Sequence, residues 1–388
     1  MIPYGRHSID QQDIDSVVTI LKSDWLTTGP VVEKFEETLA RKVCAKHAIA
    51  CSNGTTALHL AILAVGIKAG DVVLVPSITF LASANAARYV GADVVFVDVD
   101  AETGLMTAET LEEAISNNKQ KNLKAIVNVH LAGQCEDLEA IHKIAKKHNL
   151  FIIEDAAHAI GTCYLKDGKY YPIGSNAFSD ITTFSFHPVK TIAMGEGGAV
   201  TTNDPEVAKK LKSLRSHGMI RDSNDWQTHP SDVGPWYYEL QELGYNYRTS
   251  DVNCALGLSQ LEKLDAFKME RAKIVEFYDE QFSDHPFIKP MKKLTHSDTA
   301  WHLYIVHINF KNLKSRAETM TVLRERGIGT QVHYIPVHMQ PYYKNLYGDQ
   351  MLAGAEGYYS TCLSLPLYVG LSREDQQRVV NELIKNAQ

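Results

Sequence analysis

Between about residues 50 and 205 the chain alternates short runs of apolar residues with longer amphipathic segments. The runs are DVVLVP (71–76), ADVVFVDVD (92–100), LKAIVNVHLAG (123–133) and LFIIEDAAHAIG (150–161). A strand that is apolar on both faces has to be covered on both, so these predict interior strands with helices on each side. The intervening segments, such as TAETLEEAISNN and DLEAIHKIAKKHN, space their apolar residues as one helix face. Alternation of this kind predicts an α/β domain with a mainly parallel sheet. Two further runs, DITTFSFH (180–187) and GGAVTTN (197–203), flank a short segment containing Lys190. They are too close for a helical crossover and are therefore expected to be antiparallel neighbours.

Beyond about residue 252 the texture changes. One long helical pattern (DVNCALGLSQLEKLDAFKMERAKIVEFYDEQF) leads into a strand, HLYIVHINF, and then a helix around SRAETMTVLRERG. The tail SREDQQRVVNELIKNAQ predicts a last helix opened by a serine cap. The expected organisation is a large domain over 1–251 and a smaller α+β domain over 252–388.

Composition narrows the function. The 39 basic and 46 acidic residues leave a net charge of −7, which gives no reason to expect nucleic acid or an anionic membrane as partner. A bound phosphate must then be caught by local geometry. No apolar run approaches the ~20 residues needed to cross a bilayer. The first fifteen residues carry acids where a signal peptide needs an apolar core. Cys44, Cys51, Cys135, Cys163, Cys254 and Cys362 are scattered without a C-x-x-C pair. They read as reduced thiols, and the expected location is the cytoplasm. No metal site is expected.

Three segments could carry chemistry. In CSNGTTALHLAILA (51–64) a Ser-Asn-Gly-Thr-Thr turn opens an apolar helix, whose first turn points unpaired N–H groups outward and favours an anion. The plain alternative is a capped helix start with nothing bound. In IIEDAAHAIG (152–161) a strand delivers two carboxylates to its C-terminal end, where open α/β sheets hold ligands. Asp155 could there keep a cationic ring nitrogen protonated, or simply cap the next helix. In TFSFHPVKTIAMGEGGAV (183–200) Lys190 lies on a tight connection between two apolar strands, poorly placed to be a solvated charge. Lysine forms Schiff bases with aldehydes and needs a depressed pKa to do so. Pro188 before it and Gly195, Gly197 and Gly198 after it suggest backbone packed closely on a ligand. The Gly-x-Gly-Gly run is no dinucleotide fingerprint, because a β-run follows it.

Taken together and in order, WLTTGP (25–30), SNGTTAL (52–58), PSITF (76–80), EDAAHAIG (154–161), FSFHPVK (184–190) with GEGG (195–198), GYNYR (244–248) and QVHYIPVH (331–338) resemble the DegT/StrS family of sugar aminotransferases, which has the aspartate-aminotransferase fold, PLP fold type I. The resemblance runs nearly end to end. It implies pyridoxal 5′-phosphate (PLP) as cofactor, bound to Lys190, which also moves the proton between substrate carbon and cofactor. Asp155 is implied to pair with the pyridine nitrogen, Phe80 to stack on the ring and His158 to sit beside it. Many relatives carry glutamine at that last position. Gly54, Thr55 and Ser185 are implied to hold the phosphate, and Asn246 to reach the phosphate of a neighbouring subunit, giving a homodimer with composite sites. Tyr4, Thr28, His187, His217 and His333 are the candidates for substrate contact. His187, His217, His333 and also His338 stay open between structural and substrate-binding roles.

Within the family, FSFHPVK with GEGG, RSHGM (215–219) and RGIGTQVHY (326–334) resemble the C4 transaminases of pseudaminic acid biosynthesis. The implied substrates are a UDP-linked 4-keto-6-deoxy-N-acetylhexosamine and L-glutamate. Enzymes that aminate UDP-4-keto-arabinose share the F-H-x-x-K pattern and are the alternative. A PLP-dependent sugar dehydratase is the alternative of another class, with histidine expected in place of Lys190. A DNA-binding regulator would need a helix-turn-helix and a basic patch, and a nicotinamide enzyme a G-x-G-x-x-G after a strand.

Overall fold

Side chains at alternate positions of a strand point to opposite faces, so an interior strand feeds two cores at once. The computed structural model, which describes residues 1–228, 230–310 and 315–386, shows this directly. Its main sheet is built from β1 (His47–Cys51), β2 (Val72–Pro76), β3 (Asp93–Val97), β4 (Leu123–Val129), β5 (Phe151–Asp155), β8 (Ile181–Ser185) and β9 (Gly198–Thr202); β6 (Cys163–Lys166) and β7 (Lys169–Pro172) form a separate hairpin. The strand order is β1-β9-β8-β5-β4-β2-β3. Val73 and Val75 of β2 and Ile153 of β5 enter one core with α3 (Gly54–Ala64), α4 (Leu81–Tyr89) and α7 (Pro205–Arg215). Val72, Leu74 and Ile152 enter the opposite core with α5 (Ala108–Asn117) and α6 (Leu138–His148). The expected α/β layering is therefore present.

β2, β3, β4, β5 and β8 run parallel, while β8 and β9 pair antiparallel as their separation requires. β1, not expected from the apolar pattern, closes the edge antiparallel to β9. Register places Asp155 opposite Val129 on one side and Thr183 on the other. Ser185 lies opposite Gly198, and Gly198 opposite Cys51. The C-terminal ends of β5 and β8, the start of β9 and the start of α3 thus meet at one edge of the sheet.

α1 (Gln11–Leu21) and α2 (Pro30–Val43) pack against α8 (Asp251–Glu262). The long helical pattern is broken at Lys263, after which α9 (Leu264–Phe282) follows. Leu264 and Phe267 join the core beneath α2, whereas Ile274 to Phe282 join a C-terminal core. That second core is lined by a three-stranded antiparallel sheet (Ile288–Pro290, Tyr304–Ile308, Cys362–Leu365), by α10 (Arg316–Glu325) and by the helix Arg373–Asn386. Ser372 Oγ accepts from Asp375 N at 3.1 Å, the cap expected there. Ile2 also enters this core, bridging to Ile328. Among the described residues no helix is long and apolar enough to cross a membrane.

Candidate active site

The edge where these elements meet begins with a helix start. Asn53 caps α3: its Oδ1 accepts from Thr56 N at 2.9 Å, and Thr56 Oγ1 accepts from Asn53 N at 3.1 Å. The first carbonyl used within the helix is that of Asn53, which accepts from Ala57 N. The N–H groups of Gly54 and Thr55 have no hydrogen-bond partner among the described residues, and the helix dipole adds positive potential there. Ser185, ending β8, presses against this turn. A Cβ on Gly54 would lie 2.7 Å from Ser185 Cβ, and one on Gly198 only 2.3 Å from Asn53 O. Glycine at these two positions is what allows strand ends and helix start to close into an anion cradle.

β5 carries adjacent carboxylates, and the period of the strand sends them to opposite sides. Glu154 is locked into the interior: its Oε2 accepts from Thr182 Oγ1 at 2.6 Å and Ser179 Oγ at 3.0 Å, and its Oε1 lies 3.3 Å from His130 Nε2. Burial pushes its proton affinity up, but the bonds from His130, Thr182 and Ser179 outweigh that and hold it below the usual glutamate range. Only Asp155, 6% exposed, faces the cavity. Its Oδ2 accepts from Ser83 Oγ at 2.6 Å and its Oδ1 from Ala157 N at 3.2 Å.

Lys190 sits half-buried on the connection between β8 and β9. Its N–H closes a turn on His187 O at 2.8 Å. The segment after it is anchored by Met194 N to Phe186 O at 2.9 Å and by Asn253 Nδ2 to Met194 O at 2.6 Å. Among the described residues its ammonium makes no side-chain hydrogen bond or ion pair. Burial pushes its pKa down to about 8, with Asp155 pulling weakly the other way.

The opposite wall comes from distant segments. Tyr334 OH is 3.2 Å from His158 Nε2, and the His158 ring packs against His302 with centroids 4.3 Å apart. Burial holds both imidazoles neutral. His333 is likewise pushed down, to about 3, by burial and then by Lys190, and its Nδ1 bonds Ser364 Oγ at 2.8 Å. Tyr4 packs on His333, and Phe80, 56% exposed, lies 6.2 Å from Tyr334.

Together these enclose a cavity of about 650 Å³. Of the expected residues it gathers Gly54, Thr55, Phe80, Asp155, His158, Ser185 and Lys190, with Tyr4, His187 and His333. Thr28, His217 and Asn246 do not line it. Thr28 and His217 have left-handed backbones, at φ 55° and 66°, beside the bridges Thr27–Ser250 and Ser216–Asn246. His338 is buried with Nδ1 2.6 Å from Ser77 Oγ, away from the cavity. Tyr334, His302, Gln331, Gln340 and Glu196 line the cavity without having been singled out as site residues. Tyr334, Gln331 and Glu196 fell inside the motifs of the family resemblance and His302 opens the expected strand HLYIVHINF, but nothing local marks His302 or Gln340 as site residues.

A lysine of lowered pKa, a buried carboxylate and an anion cradle, at the C-terminal edge of a mainly parallel sheet, define the aminotransferase fold of PLP fold type I. The chain belongs to the DegT/DnrJ/EryC1/StrS aminotransferase family, whose sequence profile matches residues 7–384. It is 40% identical to the spore coat polysaccharide biosynthesis protein SpsC of Bacillus subtilis, over 100% of this chain and 98% of that protein. It is 38% identical to the UDP-4-amino-4,6-dideoxy-N-acetyl-beta-L-altrosamine transaminase of Campylobacter jejuni, over 99% of this chain and 96% of that one. A solved putative sugar aminotransferase of Streptococcus pneumoniae, Spr1654, superposes in its PMP form with a TM-score of 0.90 at 29% identity, covering 100% and 99% of the two chains; a PLP form is also known. The protein is thus a transaminase.

Proposed function

We propose that this transaminase uses pyridoxal phosphate to move the amino group of L-glutamate to C4 of a UDP-linked 4-keto-6-deoxy-N-acetylhexosamine. The observation that carries the reading is the convergence of Lys190, Asp155 and the start of α3 on one cavity. The donor set fits the cofactor's three distinctive groups. The Gly54 and Thr55 N–H groups with the Thr55 and Ser185 hydroxyls suit a phosphate, Asp155 suits a protonated ring nitrogen, and Lys190 suits an aldehyde. Phe80 and His158 are placed to bound the ring. When bound, the cofactor supplies the aldehyde that receives an amine and the ring that withdraws electrons from the neighbouring carbon.

The protein's share is positional and electrostatic. With its pKa near 8, Lys190 is unprotonated at neutral pH roughly two orders of magnitude more often than an ordinary lysine. It can therefore both attack the aldehyde and carry a proton at the reacting carbon. Asp155, buried and held by Ser83 and Ala157, would offer a charge-assisted bond to a protonated ring nitrogen. The cradle fixes the orientation of whatever it holds. Thr28, His217 and Asn246 then serve the cavity of a second copy, so that the working unit is a homodimer with composite sites in the cytoplasm.

The name of the Campylobacter relative and the HPVK, RSHGM and QVHY segments support the particular sugar. Kinetics with glutamate as donor, following 2-oxoglutarate release, test it. A pocket built for an N-acetyl group and a C5 methyl leaves space and unpaired polar groups around UDP-4-keto-arabinose. The expected preference in kcat/KM is at least ~100-fold for the N-acetylated 6-deoxy sugar. Equal or reversed preference moves the enzyme to the arabinose-type substrate and leaves the roles of Lys190 and Asp155 as they are.

A further inference from the structure

Beside Asp155 stands a chain of two buried hydroxyls that none of these roles uses, one of them on Thr79, which also lines the cavity. Ser83, 0% exposed in the first turn of α4, donates to Asp155 Oδ2 at 2.6 Å. Thr79, 2% exposed, has its Oγ1 2.7 Å from Ser83 Oγ. Proton counting fixes the direction of this chain. A serine hydroxyl has one proton and an ionised carboxylate can only accept, so the Ser83 proton goes to Asp155 and Thr79 must donate to Ser83. With a carboxylate at Asp155 the order is Thr79 to Ser83 to Asp155. Aligned donors of this kind polarise one another in a dry interior.

We propose that Ser83, backed by Thr79, is a positioning residue for amino transfer, fixing the plane of the Asp155 carboxylate and favouring its ionised form. The inference rests on reading the cavity as a pyridoxal phosphate site. Each oxygen of Asp155 has one protein donor, Ser83 Oγ on Oδ2 and Ala157 N on Oδ1, so the carboxylate cannot rotate without giving up both bonds. Each oxygen also keeps acceptor capacity for a ring nitrogen. The same turn holds the cavity wall: Phe80 is the cap residue of α4, and its carbonyl accepts from Ser83 N at 3.2 Å. One short segment thereby places a wall residue and locks the carboxylate. A serine merely satisfying its hydroxyl inside the protein would stabilise the fold but leave the titration and turnover of the site alone.

The test uses holoenzyme and three variants: Ser83→Ala, Ser83→Thr, which keeps the hydroxyl, and Thr79→Val, which removes the second link. The readouts are kcat and KM for the glutamate half-reaction, the acid-side pH dependence of the visible cofactor band, and the rate of cofactor loss on dialysis. Ser83→Ala should lower kcat about tenfold, roughly 1.4 kcal/mol of barrier, with KM for glutamate changed less than about twofold. Losing a donor to the carboxylate makes protonation easier, so the acid-side transition should move to higher pH and cofactor loss should quicken. Ser83→Thr should return kcat to within about threefold of wild type, and Thr79→Val should shift both readouts the same way by less. A folded, cofactor-loaded Ser83→Ala protein with unchanged kcat and acid-side transition overturns the proposal. If Ser83→Ala does not fold, unchanged values for Thr79→Val overturn it instead. Failure of the wider reading looks different: wild type would then show no visible band, or Lys190→Ala would still turn over, and both conclusions would fall together.

Discussion

The floor of the cavity and the arm between residues 216 and 246 are built on opposite terms. In the floor, Asn53 caps α3 through Thr56 N, Asp155 is held by Ser83 and Ala157, and the Lys190 segment is tied down through Met194. Each is fixed by a partner from the same chain. Among its described residues the arm has one strand pairing, Met219–Ile220 with Glu239–Leu240, and Glu239 accepts from Gln227 N at 2.7 Å and Thr228 N at 2.9 Å; Trp236, Leu240 and Leu243 are exposed at 75%, 67% and 82%. Of the expected residues, those on the floor meet in one cavity, while His217 and Asn246 at the base of the arm stay outside it. The contrast is between residues that meet in one cavity and residues that lie outside it.

The most severe break falls on the floor. On the proposed roles, Lys190→Ala would remove the aldehyde-binding amine and the proton carrier together, so turnover should drop by several orders of magnitude while the protein still folds. Loss of the visible cofactor band, read beside a normal circular dichroism spectrum, checks it; ordinary activity would sink the whole assignment. Asp155→Asn should keep the band and lower kcat by about a hundredfold, roughly 2.7 kcal/mol. A change smaller than about tenfold would remove the ring-nitrogen role from Asp155.

This division also marks what could be read in the sequence. The doubly apolar strands and the antiparallel pair around Lys190 were legible because strand period and loop length leave few alternatives. β1 was not, since His47–Cys51 has five residues, two of them alanine, and few of the β-branched side chains that mark strands. The break at Lys263 carries no proline or glycine; α8 packs on α1 and α2, and Lys263 pairs with Asp10 and Asp13 at the start of α1. FIIED promised two carboxylates at the site, but strand period permits one per face, so Glu154 went to His130, Ser179 and Thr182. His302 and Tyr334 arrive beside His158 from more than 140 residues away, a proximity that no local pattern encodes.

The arm gives the next prediction. Asn246→Ala should weaken cofactor retention and activity, yet recover on mixing with Lys190→Ala. In a mixed dimer one site then combines the wild-type lysine of one chain with the wild-type asparagine of the other. With equal amounts and free exchange, about a quarter of all sites should be intact. Assay of the mixture after subunit exchange has been confirmed decides it. Absence of recovery would place the whole site within one chain and end the contrast.

The smallest effect concerns stability, and it asks whether the floor is strained by its own function. Burial lowers the folded-state pKa of Lys190 to about 8, against about 10.4 for lysine in an unfolded chain. Between those values the unfolded chain holds the proton more tightly, so stability must rise with pH across that window as the folded lysine releases it. Below pH 8 both states are charged and the full desolvation penalty weighs on the fold, on the order of 1–3 kcal/mol. Lys190→Met keeps the length of the side chain and removes its charge. It also deprives Asp155 of an attractive neighbour, but the downward direction of the lysine shift says that burial outweighs that attraction. The cofactor-free Lys190→Met protein should therefore resist urea better than cofactor-free wild type at pH 7, and the advantage should shrink toward zero by about pH 10. Midpoints measured at both pH values and one protein concentration settle the point. A variant no more stable at pH 7, or an advantage that does not change with pH, would mean that the lysine is solvated in solution and that its reactivity comes from the bound cofactor.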